Sequence, residues 1–410
     1  MSLDREDLYK FPWSKTDNPG AWVEVTDRCN MSCPGCFRHS LEGHRPLEEV
    51  KKEILLCKEM TNCERIAIAG GEPLLYPHIV DVVDFISRQK MKPWILTNGE
   101  KFDGDLALEL KDAGLSHVYF HVDSGQQRPG WENKDEKEMN KLRQHFADLV
   151  FELGGMQCGF NITVFRSTLK QIPYIVDWGR ANIHKVQFLC LIAFRGMLKA
   201  EGIQYIAKGQ PVDLEIFQSV VENPQEISVT TDEMHEILEK KFPDMKPSAY
   251  LEGTTDPSTY KFLIFMLLGT KRELYGFAGS RTMELAQSFY HFIKGRYNAS
   301  LKNPRIGKKI FFLSLFDRNI RRALGRFLKG AYRNPATLLD KIHIQCINLQ
   351  QPNECIDGQK NLCDGCMNMM VYKGRLINSC ILDEYRIFGG PVEAVIARID
   401  DESFQKKDRI

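Results

Sequence analysis

The chain has 410 residues, enough for one large α/β domain and a smaller second one. Hydrophobic residues make up 43% and charged residues 27%, and the net charge of +1 gives no reason to expect a nucleic-acid partner. The N-terminal stretch has no apolar core of signal-peptide length, and the longest apolar run, 262–269, is far shorter than the roughly 20 residues of a membrane-spanning helix. Twelve cysteines without an export signal indicate the cytoplasm, with metal or redox chemistry instead of disulfides.

The first half of the chain alternates short β-rich runs with helix-length stretches. The predicted strands are 21–26, 65–70, 92–97, 117–123, 157–165 and 185–194, and the predicted helices are 46–60, 78–90, 104–113, 135–153 and 170–181. Strands that alternate with helices form βαβ units and a parallel sheet. Six such strands predict an α/β fold with a partial, TIM-like (β/α)6 barrel, and no G-x-G-x-x-G follows the first strand, which disfavours a dinucleotide-binding fold.

Three cysteines follow the first predicted strand in the sequence "CNMSCPGC" at 29–36. Parallel β/α folds hold their active sites at this end of the strands. Zinc needs four ligands when its site is closed, and His39 is a nearby candidate for the fourth. Thiolates are the usual ligands of iron–sulfur clusters, and three of them leave one iron of a 4Fe–4S cluster open to a small molecule. The spacing of Cys29, Cys33 and Cys36 therefore favours such a cluster, with zinc as the alternative.

This C-x3-C-x2-C spacing resembles the signature of the radical SAM superfamily. The resemblance implies that the open iron binds the amino and carboxylate groups of S-adenosylmethionine (SAM). It also implies that electron transfer cleaves SAM to a 5′-deoxyadenosyl radical. Most members carry an aromatic residue just before the third cysteine, where this chain has Gly35. Phe37, two places later, is then the expected cover for the adenine.

A second motif, "GGEP" at 70–73, follows the second predicted strand and also resembles a motif of the superfamily. The resemblance implies that Gly70, Gly71, Glu72 and Pro73 contact SAM, with Glu72 accepting hydrogen bonds from the methionine ammonium. The other interpretation is a plain strand-to-helix turn. Weaker cofactor contacts, each also typical of a turn or an N-cap, are expected at the ends of the next three strands. They are Asn98, Asp123, Ser124 and Asn161. No catalytic residue is assigned.

Five further cysteines lie near the C-terminus, where Cys363 and Cys366 form a C-x2-C pair and Cys380 follows a hairpin predicted to turn at Lys373-Gly374. The stretch resembles the SPASM or twitch extension of radical SAM enzymes, although five residues instead of four separate Gly374 from Cys380. The resemblance implies one auxiliary 4Fe–4S cluster, and a zinc ribbon is the alternative. The expected ligands are Cys363, Cys366 and Cys380, with Cys355 or Cys346 as the fourth. The other cysteines are predicted to be core residues: Cys57, Cys63, Cys158 and Cys190.

A basic segment separates the two cysteine regions. Between residues 291 and 341 there are thirteen Lys and Arg residues, against Asp317 and Asp340 as the acids. On a helical wheel, one face carries Leu313, Phe316, Ile320, Leu324, Phe327, Leu328 and Ala331, and the opposite face carries Arg318, Arg321, Arg322, Arg326, Lys329 and Arg333. This pattern predicts either a core-packed helix with a solvated basic face or a helix that lies on an anionic membrane.

The predicted domains are an N-terminal extension (1–20), the barrel (21–195), a mostly helical basic insert (196–345), the auxiliary-cluster domain (346–390) and a tail (391–410). We rank three functions. The first is a radical SAM enzyme acting on a lipid-like or anionic small molecule, with a reductant such as flavodoxin or ferredoxin and peripheral contact with an anionic membrane. The second is a peptide-modifying maturase, disfavoured because only about 20 residues precede the first strand, where such enzymes commonly carry a peptide-recognition domain. The third is a non-catalytic iron–sulfur or zinc protein.

Overall fold

The computed structural model describes residues 3–36, 38, 43–194, 196–198, 203–214, 220–221, 228–299, 304–356, 358–396 and 408–409. The α-helices in these ranges are α1 (Leu47–Thr61), α2 (Ile79–Arg88), α3 (Gly104–Asp112), α4 (Glu136–Leu153), α5 (Ile172–Ala181), α6 (Thr231–Lys241), α7 (Ser280–Lys294), α8 (Arg318–Arg333) and α9 (Leu382–Ile387). Two 3-10 segments, Pro304–Leu315 and Pro335–Leu339, flank α8.

The β-strands fall into one large sheet and three small ones. They are β1 (Tyr9–Lys10), β2 (Gly20–Thr26), β3 (Arg65–Gly70), β4 (Lys92–Thr97), β5 (His117–His121), β6 (Gln157–Val164), β7 (Val186–Ala193), β8 (Met197–Leu198), β9 (Ile203–Ala207), β10 (Gln210–Pro211), β11 (Val220–Val221), β12 (Ala249–Glu252), β13 (Tyr260–Gly269), β14 (Leu274–Ala278), β15 (His343–Gln350), β16 (Glu354–Ile356), β17 (Gln359–Asn361), β18 (Met369–Tyr372), β19 (Arg375–Asn378), β20 (Glu393–Ile396) and β21 (Asp408–Arg409). The described strands of the large sheet run β1-β12-β13-β15-β7-β6-β5-β4-β3-β2-β18-β19, with β14 beside β13.

Strands β2 to β7 are six parallel neighbours joined by α1 to α5, which confirms the predicted partial barrel. Each predicted strand and helix of this part is present within a few residues of its predicted ends. Alternate residues of β2 divide between the two faces of the sheet: Val23 and Val25 pack among the helices, and Trp22 packs on the opposite, concave face. The carboxyl ends of the six strands lie together at one edge, which is where the candidate site forms.

The predicted division of the second half into a helical insert and a separate domain is wrong in two places. Strands β12, β13 and β14 lie within 196–345 but belong to the large sheet. The apolar run 262–269 is part of β13, and β13 is buried at every position. A strand that is covered on both faces has a continuous apolar run. It lacks the alternation of apolar and polar residues from which a strand is predicted. The boundary placed between residues 345 and 346 falls inside β15, which pairs with both β13 and β7.

The C-terminal hairpin is present as predicted. Lys373 (φ 47°) and Gly374 (φ 74°) join β18 to β19, and two positive φ values in a two-residue loop fit the twist of a hairpin. Strand β18 pairs in parallel with β2, so the hairpin extends the barrel sheet beyond β2. Helix α9 then packs Leu382 on the concave face, against Trp22 and its neighbours. The C-terminal cysteines are thereby held beside the barrel.

Helix α8 exists where the basic segment predicted it, but its apolar residues are not all buried. Phe327 packs against Tyr275 of β14, with ring centroids 5.3 Å apart. Asp317 begins the helix, and its carboxylate accepts hydrogen bonds from the backbone of Asn319 and Ile320. Leu328 and, just before the helix, Phe316 belong to the predicted apolar face and are 53% and 67% exposed. Among the described helices, none is both long enough and apolar enough to cross a membrane.

Candidate active site

The loop that follows β2 brings the three N-terminal thiols to one cavity. Cys29, Cys33 and Cys36 line a cavity of about 400 Å³ whose other wall includes Gly70 and Gly71. All three cysteines are partly exposed. Burial raises the pKa of each thiol, to about 12 for Cys33. The free thiols are therefore protonated at neutral pH, and a metal group that binds them as thiolates must release their protons.

The two glycines of the second motif hold the cysteine loop in place. A Cβ atom on Gly70 (φ 134°) would lie 2.1 Å from the carbonyl oxygen of Thr26, and one on Gly71 would lie 2.3 Å from that of Arg28. The backbone amides of Gly71 and Glu72 donate to these same carbonyls at 2.8 Å. Any larger side chain would push the two loops apart. Both glycines also line the cavity, so their predicted contact with SAM stays a prediction beside this packing role.

Glu72 is buried and ties the end of β4 to the second motif. Its carboxylate accepts hydrogen bonds from the amide of Leu74 (2.9 Å), the hydroxyl of Thr97 (2.7 Å) and the amide of Asn98 (2.7 Å). Burial raises the pKa of Glu72. The side chain of Asn98 in turn donates to the side chain of Asn30 in the cysteine loop at 2.8 Å. Both predicted residues thus position the loop, and a direct contact with SAM stays a prediction.

Asp123, at the end of β5, is buried close to the thiols. Its carboxylate accepts a hydrogen bond from the amide of Thr163 at 2.9 Å and lies 2.8 Å from Nε2 of His121. The negative charge of Asp123 is one of the causes that raise the pKa of Cys33. His121 was not predicted as a site residue, and only its position at a strand end could have suggested it.

The remaining predicted contacts are less closely associated with the cavity. The Ser124 hydroxyl donates to Glu136 at 2.7 Å, and Glu136 pairs with the buried Arg143, so Ser124 holds the start of α4. Asn161 lies opposite His121 in the sheet. Pro73 is buried in the turn after Glu72. The roles proposed for these residues stay predictions.

An aromatic ring from another strand end explains the unusual Gly35. A Cβ atom on Gly35 would lie 2.7 Å from the ring of Phe165, which stacks on Phe194 with centroids 4.7 Å apart. An aromatic side chain at position 35 would compete for this space. Phe165 and Phe194 follow β6 and β7, far from the motif in sequence, so the sequence did not associate them with it. Phe37 and His39 lie outside the described residues.

A buried network of charges connects the cysteine loop to the C-terminal helix. The Arg38 guanidinium donates to Glu24 of β2 and, at 2.6 Å, to Asp383 of α9. Arg386 of α9 donates to Asp27 at 2.8 Å. Arg38 follows Cys36 by two residues and Asp383 follows Cys380 by three. The network therefore connects the chain segments that carry the two cysteine sets. Arg38 and Asp383 are 345 residues apart in the sequence, so no local pattern predicts their contact.

The structure brings together three of the C-terminal thiols. The Cys363 thiol hydrogen-bonds to Cys366, which lowers the pKa of Cys366 and raises that of Cys363. The backbone amide of Asn368 donates a hydrogen bond to the Cys366 sulfur at 3.4 Å and also lowers its pKa. Burial, with the nearby Cys366, raises the pKa of Cys380 to about 12. Cys363, Cys366 and Cys380 thus lie close to one another, and their role as cluster ligands stays a prediction.

A buried cation beside these thiols favours a negatively charged group there. Arg65 is 2% exposed, and within the described part of the chain no carboxylate lies at ion-pair distance from its guanidinium. The guanidinium donates to the carbonyl of Met367 (3.0 Å) and the side chain of Asn368 (2.9 Å), and it lies over the ring of Trp94. Burial lowers the pKa of Arg65 to about 10, so it stays charged at neutral pH, and Cys366 counteracts the shift. Since an uncompensated buried charge is costly, thiolates fit this site.

The structure separates the two candidates for the fourth ligand. Cys346 lies in β15, where Cys190 is the neighbouring thiol. Cys355 lies in β16 beside Lys360, and the same ammonium is close to Cys380. The cysteines predicted as core residues are buried: Cys57, Cys63, Cys158 and Cys190. Among the described side chains, no three Cys, His, Asp or Glu residues converge as the ligands of a single metal ion do.

Three thiols of one loop at the carboxyl end of an open parallel barrel define a class of site that holds a metal cluster with one exchangeable position. Residues 23–178 match the model of the Radical SAM superfamily, and the chain carries a radical SAM domain. Such a domain binds a 4Fe–4S cluster and SAM. The residues fit these groups, because the thiols share one cavity and its volume falls in the range of about 300–1,000 Å³ that ligand sites occupy.

Two curated relatives and one solved structure illustrate the similarity. A "Probable GTP 3',8-cyclase" of Methanocaldococcus jannaschii is 30% identical over 206 residues, which are 47% of this chain and 64% of the relative. A "7,8-dihydro-6-hydroxymethylpterin dimethyltransferase" of the same organism is 22% identical over 265 residues, 59% of this chain and 50% of the relative. The crystal structure of Streptococcus suis SuiB bound to precursor peptide SuiA gives a TM-score of 0.40 at 15% identity, over 55% of this chain and 46% of that one. The chain thus spans less than two thirds of each of these proteins.

Proposed function

We propose that this protein is a radical SAM enzyme in which Cys29, Cys33 and Cys36 hold a 4Fe–4S cluster that leaves one iron for SAM. When bound, such a cluster would supply one electron for the cleavage of SAM to methionine and a 5′-deoxyadenosyl radical, which would take a hydrogen atom from the substrate and leave as 5′-deoxyadenosine. A reductant of the flavodoxin or ferredoxin class must supply the electron. The observation that carries this proposal is the convergence of the three thiols on one cavity beside Gly70 and Gly71.

The chain's own residues would fix the geometry of this reaction. Arg38 lines the cavity, and its positive charge lowers the pKa of Cys36, against the raising effect of burial. Glu72 accepts a hydrogen bond from the amide of Asn98, and the Asn98 side chain donates to Asn30 in the cysteine loop. The two residues together hold this loop in position. These buried contacts would keep the thiolates and the cofactor at fixed positions relative to each other, as electron transfer between them requires. SAM contacts at Gly70, Gly71 and Asp123 are part of the proposal.

A second cluster is proposed at Cys363, Cys366, Cys380 and Cys355, with Arg65 and Lys360 as the nearby cations. Thiolates make such a site anionic, and buried cations reduce the cost of holding that charge away from water. Two 4Fe–4S clusters require about eight iron atoms per chain and no stoichiometric zinc. Four iron and one zinc would instead assign the C-terminal site to a structural ribbon.

For the substrate, we propose a lipid-like or anionic small molecule. The support is the surface around α8, where exposed Phe, Leu and Tyr side chains lie among Lys and Arg residues. The second candidate is a peptide substrate, favoured by the resemblance of the C-terminal cysteines to a SPASM or twitch extension. The two candidates place the abstracted hydrogen on different molecules, which isotope labelling can distinguish.

The test uses the anaerobically reconstituted enzyme with dithionite and SAM. Lipids with perdeuterated acyl chains are added in one reaction and an unlabelled mixture of short peptides in another. We expect lipid to raise the rate of 5′-deoxyadenosine formation and to transfer deuterium into it, as read by mass spectrometry. Stimulation by peptides alone, without deuterium from lipid, would contradict the lipid-like substrate and favour the peptide.

A further inference from the structure

Exposed apolar side chains concentrate in one part of the molecule. Of the sixteen large hydrophobic residues that are exposed in the described part of the chain, eleven lie between residues 285 and 339. Tyr332 is 91% exposed, Leu339 86% and Phe312 77%. Single exposed hydrophobic residues are common on any protein, but a concentration of aromatic and aliphatic side chains marks a surface that another partner covers.

Helix α8 is divided lengthwise into three sectors instead of two. Ile320, Ala323 and Phe327 are buried against the sheet side. At about 100° per residue, Leu328 and Tyr332 project roughly 120° away from this buried sector, and both are exposed. Arg321 projects between Leu328 and Tyr332, and the other basic residues occupy a third sector beyond them. The apolar arc is therefore wider than the part that the fold covers, which is the opposite of a helix that only packs on a core.

The exposed apolar residues of the neighbouring 3-10 segments join this surface. The Arg321 guanidinium, on the same side of α8 as Leu328, donates to the carbonyls of Ser314 and Leu315. Lys308 of the first segment donates to the carbonyl of Leu338 in the second. These bonds hold the two segments against α8 and against each other, so their exposed side chains lie in the same region of the surface.

The charge of this face is positive, because its cations outnumber the acids close to it. Asp244 pairs with Arg326 of α8 at 3.5 Å. Asp317 is buried and accepts hydrogen bonds from Gly279 and Thr282. Asp340 pairs with Arg272 at 2.9 Å. By contrast, Arg318, Arg322 and Lys329 are exposed and have no ion pair within the described part of the chain. The face thus offers free cations together with uncovered aromatic and aliphatic groups.

We propose that this face docks the protein on an anionic lipid bilayer. The docking face consists of the apolar residues Phe312, Leu315, Phe316, Leu328, Tyr332 and Leu339. Its cations are Arg318, Arg321, Arg322, Arg326, Lys329 and Arg333. A bilayer surface matches both features, since lipid headgroups supply negative charge and the acyl boundary accepts Phe, Leu and Tyr side chains. The layer consists of α8 and the two 3-10 segments, and none of the described helices could cross a membrane, so the proposed docking is a shallow insertion.

Sedimentation with vesicles tests this proposal. The wild-type protein should bind vesicles that contain phosphatidylglycerol and bind pure phosphatidylcholine vesicles weakly. Raising the salt from about 0.1 M to about 1 M shortens the Debye length from about 10 Å to about 3 Å and should release much of the protein. The variant Arg318→Glu/Arg322→Glu/Lys329→Glu should partition on the order of 100-fold less, because each basic residue near an anionic surface contributes about fivefold.

Two further variants separate the contribution of the basic residues from the net charge and from the contribution of the apolar side chains. Lys52→Glu/Lys141→Glu/Lys170→Glu changes the net charge equally, at exposed positions on other elements, and should bind as the wild type does. Phe316→Ser/Leu328→Ser/Tyr332→Ser keeps every charge and should bind at least about tenfold less, with the largest loss at high salt. Circular dichroism and iron content serve as the folding controls for all three variants.

The outcomes are distinct. No binding of the wild type to anionic vesicles at low salt, or an equal loss in the lysine control, would overturn the proposal. A concentration-dependent dimer in sedimentation velocity that the serine variant abolishes, without vesicle binding, would assign the face to a second copy of the chain. Vesicle binding requires neither cluster, so failure here leaves the proposed radical chemistry standing.

Discussion

The two sets of thiols differ in how much of their surroundings the protein supplies. Cys29, Cys33 and Cys36 lie in a loop and open to a cavity of about 400 Å³. Cys363, Cys366 and Cys380 lie beside a hairpin, with Arg65, Lys261 and Lys360 buried around them. The first set offers three ligands and room for a fourth from outside. The second set has Cys355 as a candidate fourth ligand from the protein itself, since Lys360 lies close to both Cys355 and Cys380.

This difference indicates which role each of the two thiol sets can have. An open iron with an adjacent cavity can bind and cleave a small molecule, whereas a fully ligated cluster can only accept and pass electrons or hold the fold together. The buried network of Arg38, Glu24 and Asp383 joins the two chain segments that carry the thiol sets. Three measurements test this difference between the two thiol sets.

The largest expected effect is on the iron content of the C-terminal set. Cys355→Ala should lower the iron below about eight per chain and change the resonance signal of the reduced C-terminal cluster, because the three thiols that remain leave one iron without a protein ligand. Cys346→Ala is the matched control: it removes another C-terminal thiol, but one that lies in β15 beside Cys190, and it should keep the full iron content. Iron analysis with electron paramagnetic resonance after reduction gives the readout. The reverse pattern would show that the assignment of the fourth ligand is wrong.

A smaller effect is expected on stability. Arg38→Met removes the closer cation from the buried carboxylates of Glu24 and Asp383 and leaves Arg386, at 3.5 and 3.8 Å, beside them. Breaking a buried pair costs about 3–5 kcal/mol, and the remaining arginine places the expected loss at the low end of this range. The control Arg88→Met removes an exposed pair with Asp84, which contributes about 0–1 kcal/mol. Anaerobic urea unfolding measures both. A loss for Arg38→Met no larger than for the control would mean that the network does not couple the two segments.

The barrel and the first thiol set could be predicted from the sequence because both depend on local patterns. The alternation of strands with helices and the spacing of Cys29, Cys33 and Cys36 are short-range signals. The strand β13 could not be predicted, since burial on both faces removes its alternation. The contacts of Arg38 with Asp383 and of Phe165 with Gly35 join positions far apart in the chain, and only the folded structure brings them together.

We expect the open thiol set to carry the radical chemistry. The decisive experiment assays 5′-deoxyadenosine formation with dithionite in a variant with Cys29, Cys33 and Cys36 all replaced by Ala. The matched control replaces the buried core residues Cys57, Cys63 and Cys158 by Ala. We expect the first variant to lose 5′-deoxyadenosine formation and about four iron per chain while the C-terminal cluster stays, and the control to retain both activities of the site, iron binding and SAM cleavage. Continued formation of 5′-deoxyadenosine by the first variant would contradict the claim.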